Sequence, residues 1–513
     1  MAVSFFDFFV SSTLANPEIS LERARDIVRD GYGRDGELTL LGSQQDYNVR
    51  VDVAGDTVGR TVLKIANSAF HVRELEAQNA AMSWVAGRVS DMTLPVVVPA
   101  LDGTEISTLD IAGESCAVRM VTYVEGEVLA AAPYLSPAAL TGLGDLVAAV
   151  SAALADFDHD GLDRTLQWDL RQASRVVELL LPHVGDPARA EALTAAVARS
   201  ETVLEGVTPL PVQPSHGDLT EDNVVGRYDD AGRIVPGGVI DFGDLARSWR
   251  VGDLAVACAS LLYRSDTDPM AVLPVIRGFD ARLPLTDPEI DALWPLVVER
   301  AAVLVVSGQQ QVSISPDNEY AERSQDRDWS IFECATSVPL PAMSAALRHA
   351  LGRPPAPRPD RAAAHRLLPS LDPARLVPID LSPTSASLDA GRWLDDDAEE
   401  TVGRQAVMQS GAVAMTRYGE CRLTRSRPEL AAPSSTCALH VEVRLPAGQA
   451  VVAPFDGELR RLPDGRVLLT GERMSLLLGG VGLRPGKPSV VAGQEIGSAG
   501  PGPLRIQLCS VAG

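Results

Sequence analysis

The stretch that decides the fold reads SHGDLTEDN over residues 215–223 and GVIDFGD over residues 238–244. Asp218 and Asn223 stand at opposite ends of one short loop, and Asp241 follows an apolar run typical of a buried strand. Between the two segments, apolar residues flank a turn-like DDAG sequence, a pattern that predicts a hairpin. Such a hairpin would bring Asn223 and Asp241 side by side at one edge of a cleft.

These residue types suit the transfer of a phosphoryl group. The transfer needs a carboxylate that orients the attacking hydroxyl and takes its proton, a role that we assign to Asp218. It also needs hard oxygen ligands that hold Mg²⁺ against the phosphates of ATP, which suits the Asp241 carboxylate and the Asn223 amide oxygen. A cation must brace the phosphates, and Lys64 on the predicted strand VLKI fits this role.

The lysine is expected to pair with a glutamate on the helix that follows. Glu76 is the first choice for this partner and Glu74 the second. A single strand lysine is usually a solvated edge residue, and a DFG tripeptide can arise by chance. The joint order of lysine, helix acid, H-x-D-x-x-x-x-N and DFGD is much more specific, and it predicts a kinase-like site.

Residues 30–350 resemble the aminoglycoside phosphotransferase family, in the branch with choline kinase-like and hydroxylysine kinase-like small-molecule kinases. The match is closest to the hydroxylysine kinase-like group and rests on the segments GSQQDYN, VLKI, EAQN, WDL, HGD and IDFGD. The resemblance implies an α+β, bilobal protein-kinase-like fold. A small β-rich lobe would occupy residues 1–125 and a larger helical lobe residues 126–351, with ATP in the cleft between them.

The resemblance also implies the nucleotide contacts. The backbone of Thr122, Tyr123 and Val124, at the hinge between the lobes, would meet the adenine. The phosphate loop departs from G-x-G-x-x-G, so Ser43, Asn48 and backbone amides would replace a glycine-rich cradle. The alternative for this loop is an ordinary hairpin turn capped by its own side chains.

Three further residues are predicted to bind the acceptor. Asp244 follows the metal aspartate at the point where an acceptor would enter, and related kinases meet a substrate amine with acidic residues there. Trp168 would add an aromatic wall that favours ammonium groups, and Asp169 a second carboxylate. The alternative for Asp169 is a helix N-cap.

Two departures from protein kinases predict a small acceptor. The residue after His216 is Gly217, so the arginine that would read a phosphorylated activation loop is missing, and no APE-like segment follows at a suitable distance. We therefore expect a kinase built in its active arrangement, which phosphorylates a hydroxyl of an amino alcohol or hydroxylated amino acid. The alternatives are a kinase for Ser or Thr of a biosynthetic peptide and a non-catalytic scaffold; a role in aminoglycoside resistance is a weaker reading.

Composition sets the broader limits. The 513 residues carry a formal net charge of −23, which argues against a surface that coats nucleic acid or anionic membranes. Six cysteines without a C-x-x-C pair do not form a disulfide framework. No apolar run reaches the length of a spanning helix, and the first residues lack the basic start of a signal peptide. The sequence thus predicts a cytoplasmic protein.

The remainder of the chain predicts a linker and a further domain. Residues 352–400 are rich in Pro and Ala and are expected to be a linker. Residues 401–513 predict a small all-β domain that resembles a degenerate lysostaphin-like or lipoyl-hybrid module. It has a single histidine, His440, too few for zinc of the lysostaphin type, so a metal-free scaffold or docking module is expected. Multidomain relatives of this arrangement imply a pyridoxal-phosphate-dependent aminotransferase or lyase as partner.

Overall fold

The protein is described by a computed structural model. It covers residues 5–14, 16–43, 45–53, 55, 59–207, 209–264, 268–314, 319–353, 366–410, 413–426, 436–471, 474–486 and 488–510. The chain divides into two compact units, Met1–Leu340 and Pro341–Gly513.

The first unit opens with a β-rich lobe. Its elements are α1 (Leu21–Tyr32), β1 (Glu37–Leu41), β2 (Tyr47–Asp52), β3 (Thr61–Ile65), α2 (Val72–Ala86), β4 (Val97–Val98), β5 (Ser107–Ile111) and β6 (Glu114–Thr122). The strands form an antiparallel sheet in the order β1-β2-β3-β6-β4, with β5 paired to β6. Alternation along β2 and β3 gives the sheet an apolar face that packs on α1, with Val49, Val51, Leu63 and Ile65 fully buried.

The rest of the first unit is mainly helical. Its elements are β7 (Glu127–Val128), α3 (Pro137–Leu154), α4 (Ala173–Leu180), α5 (Pro187–Glu205), β8 (Val212–Ser215), β9 (Val224–Tyr228), β10 (Ile234–Val239), β11 (Ala246–Trp249), α6 (Gly252–Leu261), α7 (Leu273–Arg282), α8 (Asp287–Ile314) and α9 (Glu319–Thr336). Strands β10, β9 and β7 form one small sheet, and β11 pairs with β8. The paired strands β8 and β11 therefore flank the segment from 215 to 244, and the β9–β10 hairpin lies within it.

Helix α3 belongs to the core of this lobe. It is long and apolar enough to cross a membrane, but 61% of its residues are buried inside the protein. Gly144 of α3 and Gly278 of α7 allow close approach, since a Cβ on either would overlap backbone of the other helix. The burial and the close packing on α7 account for its apolar sequence.

The second unit is mostly β-structure. Its elements are α10 (Leu340–Ala350, beginning at the junction), β12 (Leu376–Pro378), α11 (Ala398–Ser410), β13 (Val413–Met415), β14 (Glu420–Cys421), β15 (Cys437–Ala438), β16 (Val441–Val443), β17 (Ala450–Val452), β18 (Gly457–Arg461), β19 (Val467–Thr470), β20 (Met474–Gly479), β21 (Val481–Leu483), β22 (Ser489–Val490), β23 (Glu495–Ala499) and β24 (Leu504–Ser510). The largest sheet runs β12-β13-β16-β24-β20-β19-β18-β22, and a smaller one runs β17-β23-β21. The predicted fold class, a bilobal kinase-like fold followed by a small β-rich region, is confirmed.

Part of the predicted linker is ordered in this unit. Strand β12 pairs in parallel with β13, and α11 begins before residue 401. Ile379, Leu381 and Leu388 form a small core with Val402 and Ala414. The Pro- and Ala-rich composition of 352–400 hides these apolar residues, so the linker drawn from composition is longer than the structure supports.

Candidate active site

The hairpin β9–β10 places two of the predicted metal ligands at one edge. Val224 pairs with Val239, and the Ile240 N–H donates to the Asn223 carbonyl at 3.0 Å. Asn223 therefore directly precedes β9, while one residue, Ile240, separates Asp241 from the end of β10. The predicted juxtaposition of Asn223 and Asp241 is present in the structure.

The loop that carries Asp218 is fixed by buried groups. His216 is fully buried and packs on Phe242 with ring centroids 4.7 Å apart. Its Nε2 lies 3.1 Å from the Ile240 carbonyl, while Nδ1 accepts the Asp218 N–H at 3.3 Å. Burial lowers the pKa of His216 to about 4, so the ring is neutral at pH 7 and can donate at one nitrogen and accept at the other.

Asp253 anchors the same loop from α6. Its carboxylate accepts the N–H groups of His216 at 3.1 Å and Gly217 at 2.9 Å, and burial raises its pKa to about 6. Gly217 has φ +84, and a Cβ there would lie 2.5 Å from the Asp244 carbonyl oxygen. Glycine is therefore required at the residue before Asp218.

Asp218 lies between an amide and a guanidinium. Its Oδ2 accepts from Asn223 Nδ2 at 2.6 Å, and its Oδ1 accepts from Arg300 Nη2 at 2.8 Å. Burial raises the pKa of Asp218, although the charge of Arg300 acts in the opposite direction. A raised pKa makes the carboxylate a better proton acceptor, which suits a general base.

Lys64 and Asp241 meet directly. Lys64 Nζ lies 3.0 Å from Asp241 Oδ1, which also accepts the Gly243 N–H at 3.2 Å. The ammonium of Lys64 holds the pKa of Asp241 at about 2, so this carboxylate is ionised. Asp241 has φ +58, a left-handed conformation that is rare outside glycine and is often found at functional sites.

A row of polar side chains crosses the sheet at Lys64. Asn48 of β2 and Arg119 of β6 are its register partners on either side. Arg119 is buried and donates to Asn79 at 2.6 Å and to Gln78, both on α2. The helix thus meets the polar row with two amides that bind Arg119.

The predicted pairing of Lys64 with Glu76 is not what the structure shows. Glu76 is 43% exposed and pairs with Arg73 at 3.6 Å. The reason is helical position: Gln78 and Asn79 occupy the face of α2 toward the sheet, while Glu76 points to the surface. Glu74, the second choice, is fully buried but pairs with Arg164 at 3.2 Å.

The Glu74–Arg164 pair supports the DFGD segment instead. Arg164 donates to the Gly243 carbonyl at 3.0 Å, and Gln78 donates to the same oxygen at 3.3 Å. Glu74 Oε1 accepts the backbone N–H of Phe6 at 2.8 Å. A chain of contacts therefore runs from the N-terminal segment through α2 to the turn that carries Asp241.

The loop between β1 and β2 fits the capped-turn alternative in part. Ser43 Oγ accepts the Asp46 N–H at 3.0 Å, and Asp46 Oδ1 accepts the Asn67 N–H at 3.0 Å. Burial raises the pKa of Asp46. Asn48 Oδ1 is buried and has no hydrogen-bond partner among the residues that the structure describes.

At the hinge, two backbone donors are already used. The Thr122 N–H donates to the Val96 carbonyl at 2.8 Å, and the Tyr123 N–H donates to the Arg60 carbonyl at 2.9 Å. An adenine at this position would therefore bind the hinge carbonyl groups or the backbone N–H of Val124. Val124 is a buried residue.

The three predicted acceptor residues have different surroundings. Burial, and then the charge of Asp218, raises the pKa of Asp244 to about 7. The Arg300 guanidinium lies over the Trp168 ring, with its carbon 4.4 Å from the ring centroid. The predicted aromatic wall therefore already holds a cation. Asp169 caps the short helical turn Leu170–Gln172 and accepts from Ser248 at 2.6 Å. Its carboxylate is turned inward, as the N-cap alternative requires.

Sequence reasoning missed Arg300, Arg119, Arg164 and the anchoring role of Asp253. Three are arginines that lie in different segments of the chain, among many others of their type. Strand alternation alone could have placed Arg119 on the face of Lys64. For Arg300 and Arg164 no local pattern indicates the site.

Comparison with known proteins adds to this geometry. Residues 37–291 match the sequence profile described as the phosphotransferase enzyme family. This segment, about half of the chain, is therefore similar to that family. Hydroxylysine kinase of Danio rerio is 25% identical over 321 residues, covering 60% of this chain and 89% of that protein. Hydroxylysine kinase of Mus musculus is 26% identical over 348 residues, covering 62% and 90%.

Solved structures of similar shape are also kinases. A microcompartment-associated aminopropanol kinase has a TM-score of 0.48 at 18% identity, covering 65% of this chain and 99% of that chain. An amicoumacin kinase in complex with AMP-PNP and Ca²⁺ has a TM-score of 0.47 at 13% identity, covering 63% and 95%. The family match and the kinase relatives confirm the predicted enzyme class, a phosphotransferase that acts on an alcohol group.

Proposed function

We propose that the first unit is an ATP- and Mg²⁺-dependent kinase that phosphorylates a hydroxyl of a small amine-bearing acceptor, an amino alcohol or a hydroxylated amino acid. The observation that carries the proposal is the meeting of Lys64 with Asp241 beside the Asp218–Asn223 pair. The hydroxylysine kinase relatives support an acceptor that combines an amine with a hydroxyl.

In this proposal Asp218 accepts the proton of the acceptor hydroxyl. The hydroxyl oxygen then forms a bond to the γ-phosphorus, the bond from that phosphorus to the β–γ bridging oxygen breaks, and ADP leaves. Asn223 holds Asp218 through its amide nitrogen, and Lys64 braces the phosphate oxygens. Arg164 and Gln78 hold the Gly243 carbonyl and so keep Asp241 in place.

The residues present fit a magnesium ion. Asp241 is ionised, and the Nδ2 of Asn223 is directed at Asp218, which leaves its Oδ1 as a neutral oxygen ligand. Among the described residues no three His, Cys, Asp or Glu side chains cluster as a protein-only metal site. Magnesium in kinases is typically bound by few protein oxygens and shared with phosphates, and it neutralises their charge.

Other contacts of the proposal concern binding. Ser43, Asn48 and Lys64 would face the phosphates. Asn48 Oδ1, which has no hydrogen-bond partner among the described residues, would accept a hydrogen bond from a water or from a donor group of the ligand. The hinge residues Thr122, Tyr123 and Val124 would border the adenine. Glu76 is replaced in this account by Glu74, which supports the site through Arg164. Trp168 and Asp244 would border the acceptor.

Further parts of the proposal rest on the sequence resemblance. The second unit would be a metal-free module of lysostaphin-like ancestry, and a pyridoxal-phosphate-dependent lyase would consume the phosphorylated product. The cytoplasm is the proposed location. The β-strand pattern of the second unit is compatible with these proposals.

A panel of acceptors tests the proposed function. The full chain is supplied with ATP, Mg²⁺ and single amino alcohols or hydroxylated amino acids, and ADP release and the mass of the product are measured. We expect acceptor-dependent ADP release and a product heavier by one phosphoryl group. ATP hydrolysis without a phosphorylated acceptor, or no ATP consumption with any acceptor, would contradict the proposal.

A further inference from the structure

Arg300 is a buried cation in a cluster of acidic groups. Its side chain is 4% exposed, and its Nη2 donates to Asp218 at 2.8 Å. The guanidinium also lies over the Trp168 ring at 4.4 Å. It reaches the site from α8, whereas Asp218, Asp241 and Asp244 lie on the segment that begins at residue 215.

One nitrogen of this guanidinium is left unpaired. Arg300 Nη1 is buried and has no hydrogen-bond partner among the residues that the structure describes. A buried donor without a partner is costly, and for a charged group the cost is larger than for a neutral one. The guanidinium that carries this nitrogen lies beside the general base and above an aromatic ring, so the unpaired nitrogen is suited to an anionic oxygen brought by a ligand.

The charge of Arg300 also discriminates between acceptors. An acceptor that carries only an ammonium group needs acidic neighbours, which Asp218 and Asp244 supply without any help from an arginine. A buried guanidinium beside them repels such an acceptor. An acceptor with both an ammonium and a carboxylate can satisfy the aspartates and the arginine at once.

We infer that Arg300 binds the α-carboxylate of the acceptor, so that the substrate is a hydroxylated amino acid and not the corresponding amino alcohol. The inference rests on the proposed kinase function and narrows its substrate class. The carboxylate would pair with Nη1, while Nη2 remains on Asp218 and Trp168 holds the guanidinium plane in place. Arg300 thereby becomes a specificity-determining residue that also orients the general base.

Pairs of acceptors that differ only in the carboxylate test the inference. Suitable pairs are L-serine with ethanolamine, L-threonine with 1-amino-2-propanol, and 5-hydroxylysine with 1,5-diaminopentan-2-ol. For the wild-type full chain we expect the amino acid of the best pair to have the higher kcat/KM by about 10- to 150-fold, the range of a hydrogen bond to a charged group. The difference should lie mainly in KM.

Substitution of Arg300 then assigns the preference to this side chain. Arg300→Met removes the Asp218 contact for both members of a pair, so the loss common to both cancels in the ratio of their kcat/KM values. That ratio should fall to near unity in Arg300→Met and recover in part in Arg300→Lys. The matched control is Arg250→Met, which breaks the ion pair with buried Glu289 on α8, the helix that also carries Arg300. The ratio of kcat/KM values in this control should equal that of the wild type.

The outcomes separate this inference from the proposed function. Phosphorylation of amino alcohols in preference to the matching amino acids overturns the role of Arg300 and leaves the kinase standing; this comparison uses the wild-type chain and does not depend on a variant that folds. An equal loss for both members of a pair in Arg300→Met also overturns it, because Arg300 would then only position Asp218. Failure of the wild type to phosphorylate either class overturns both proposals.

Discussion

Lys64 Nζ and Asp241 Oδ1 lie 3.0 Å apart although 177 positions separate the two residues in the sequence. The lysine comes from the third strand of the β-rich lobe, and the aspartate follows a hairpin of the helical lobe. Their contact keeps Asp241 ionised and closes the two lobes around one charged site. This relationship is the basis of the phosphoryl-transfer proposal.

Chemical labelling should single out Lys64. The sequence contains only two lysines, Lys64 and Lys487, so the second serves as an internal control. An acyl-phosphate derivative of ATP transfers its acyl group to a lysine held at the phosphates. Because proximity raises the effective concentration, we expect Lys64 to be labelled at least about tenfold faster than Lys487, and excess Mg²⁺–ATP to protect it. Equal labelling of both, or no protection, measured by peptide mass spectrometry, would count against the site.

Glu74→Gln and Glu76→Gln should behave differently. Glu74→Gln leaves the buried Arg164 without its ionic partner, so we expect the free energy of unfolding to fall by about 3 kcal/mol and kcat to fall with it. Glu76→Gln removes an exposed pair and should cost less than about 1 kcal/mol, with kcat unchanged. Urea denaturation and steady-state kinetics measure both. A larger effect of Glu76→Gln than of Glu74→Gln would instead support the pairing of Lys64 with Glu76 that the sequence predicted.

Gly217→Ala should damage the catalytic loop more than its matched control. Both Gly217 and Gly232 have positive φ, but an added Cβ meets the Asp244 carbonyl only at Gly217 and has open space at Gly232. We expect Gly232→Ala to cost about 1 kcal/mol of stability with normal activity. Gly217→Ala should lower kcat about 100-fold or more, because Asp218 shifts relative to the acceptor. Similar kcat values for the two variants would contradict this view of the loop.

Stability should fall with rising pH because of Glu299. Its two carboxylate oxygens are buried, and burial raises the pKa of Glu299 well above 4.5, with smaller contributions from the charge of Glu201 and a hydrogen bond to it. The folded state therefore binds a proton that the unfolded state has released. The stabilisation is complete below pH 4.5 and is lost as the pH rises through the pKa of the folded state.

Glu299→Gln checks this pH dependence. The free energy of unfolding of the wild type should drop between pH 5.5 and pH 8 by on the order of 1 kcal/mol or more beyond that of Glu299→Gln. Glu205→Gln, an exposed glutamate on the facing helix α5, is the control and should keep the wild-type slope. A Glu299→Gln slope equal to that of the wild type would show that Glu299 does not hold the extra proton.

The sequence made predictable those parts of the site that depend on pairing between neighbouring strands. Hairpin chemistry around Asn223 and Asp241 and strand alternation at Lys64 are short-range properties, and the structure has both. The partner of Lys64 depended on which face of α2 meets the sheet, and two amides bound to Arg119 occupy that face. Asp169 also shows the limit, since the same residue type suits a ligand and an N-cap.

The position of Arg300 in the site could not be predicted from local sequence patterns, for a different reason. Its side chain reaches Asp218 only because α8 packs across the helical lobe, and no motif near residue 300 signals that contact. The order between residues 376 and 400 was hidden similarly, because Ile379, Leu381 and Leu388 are sparse in a Pro-rich stretch. Long-range packing of this kind is not encoded in a local period.

The most direct measurement compares phosphoryl transfer by Asp218→Asn and Asp222→Asn with the wild type. Asp222 is 54% exposed in the same loop, so its variant controls for local charge. With the best acceptor and saturating Mg²⁺–ATP, kcat of Asp218→Asn should fall by about 10²- to 10⁴-fold while nucleotide affinity is retained, and Asp222→Asn should match the wild type. A phosphorylated product formed by Asp218→Asn at the wild-type rate would contradict the account.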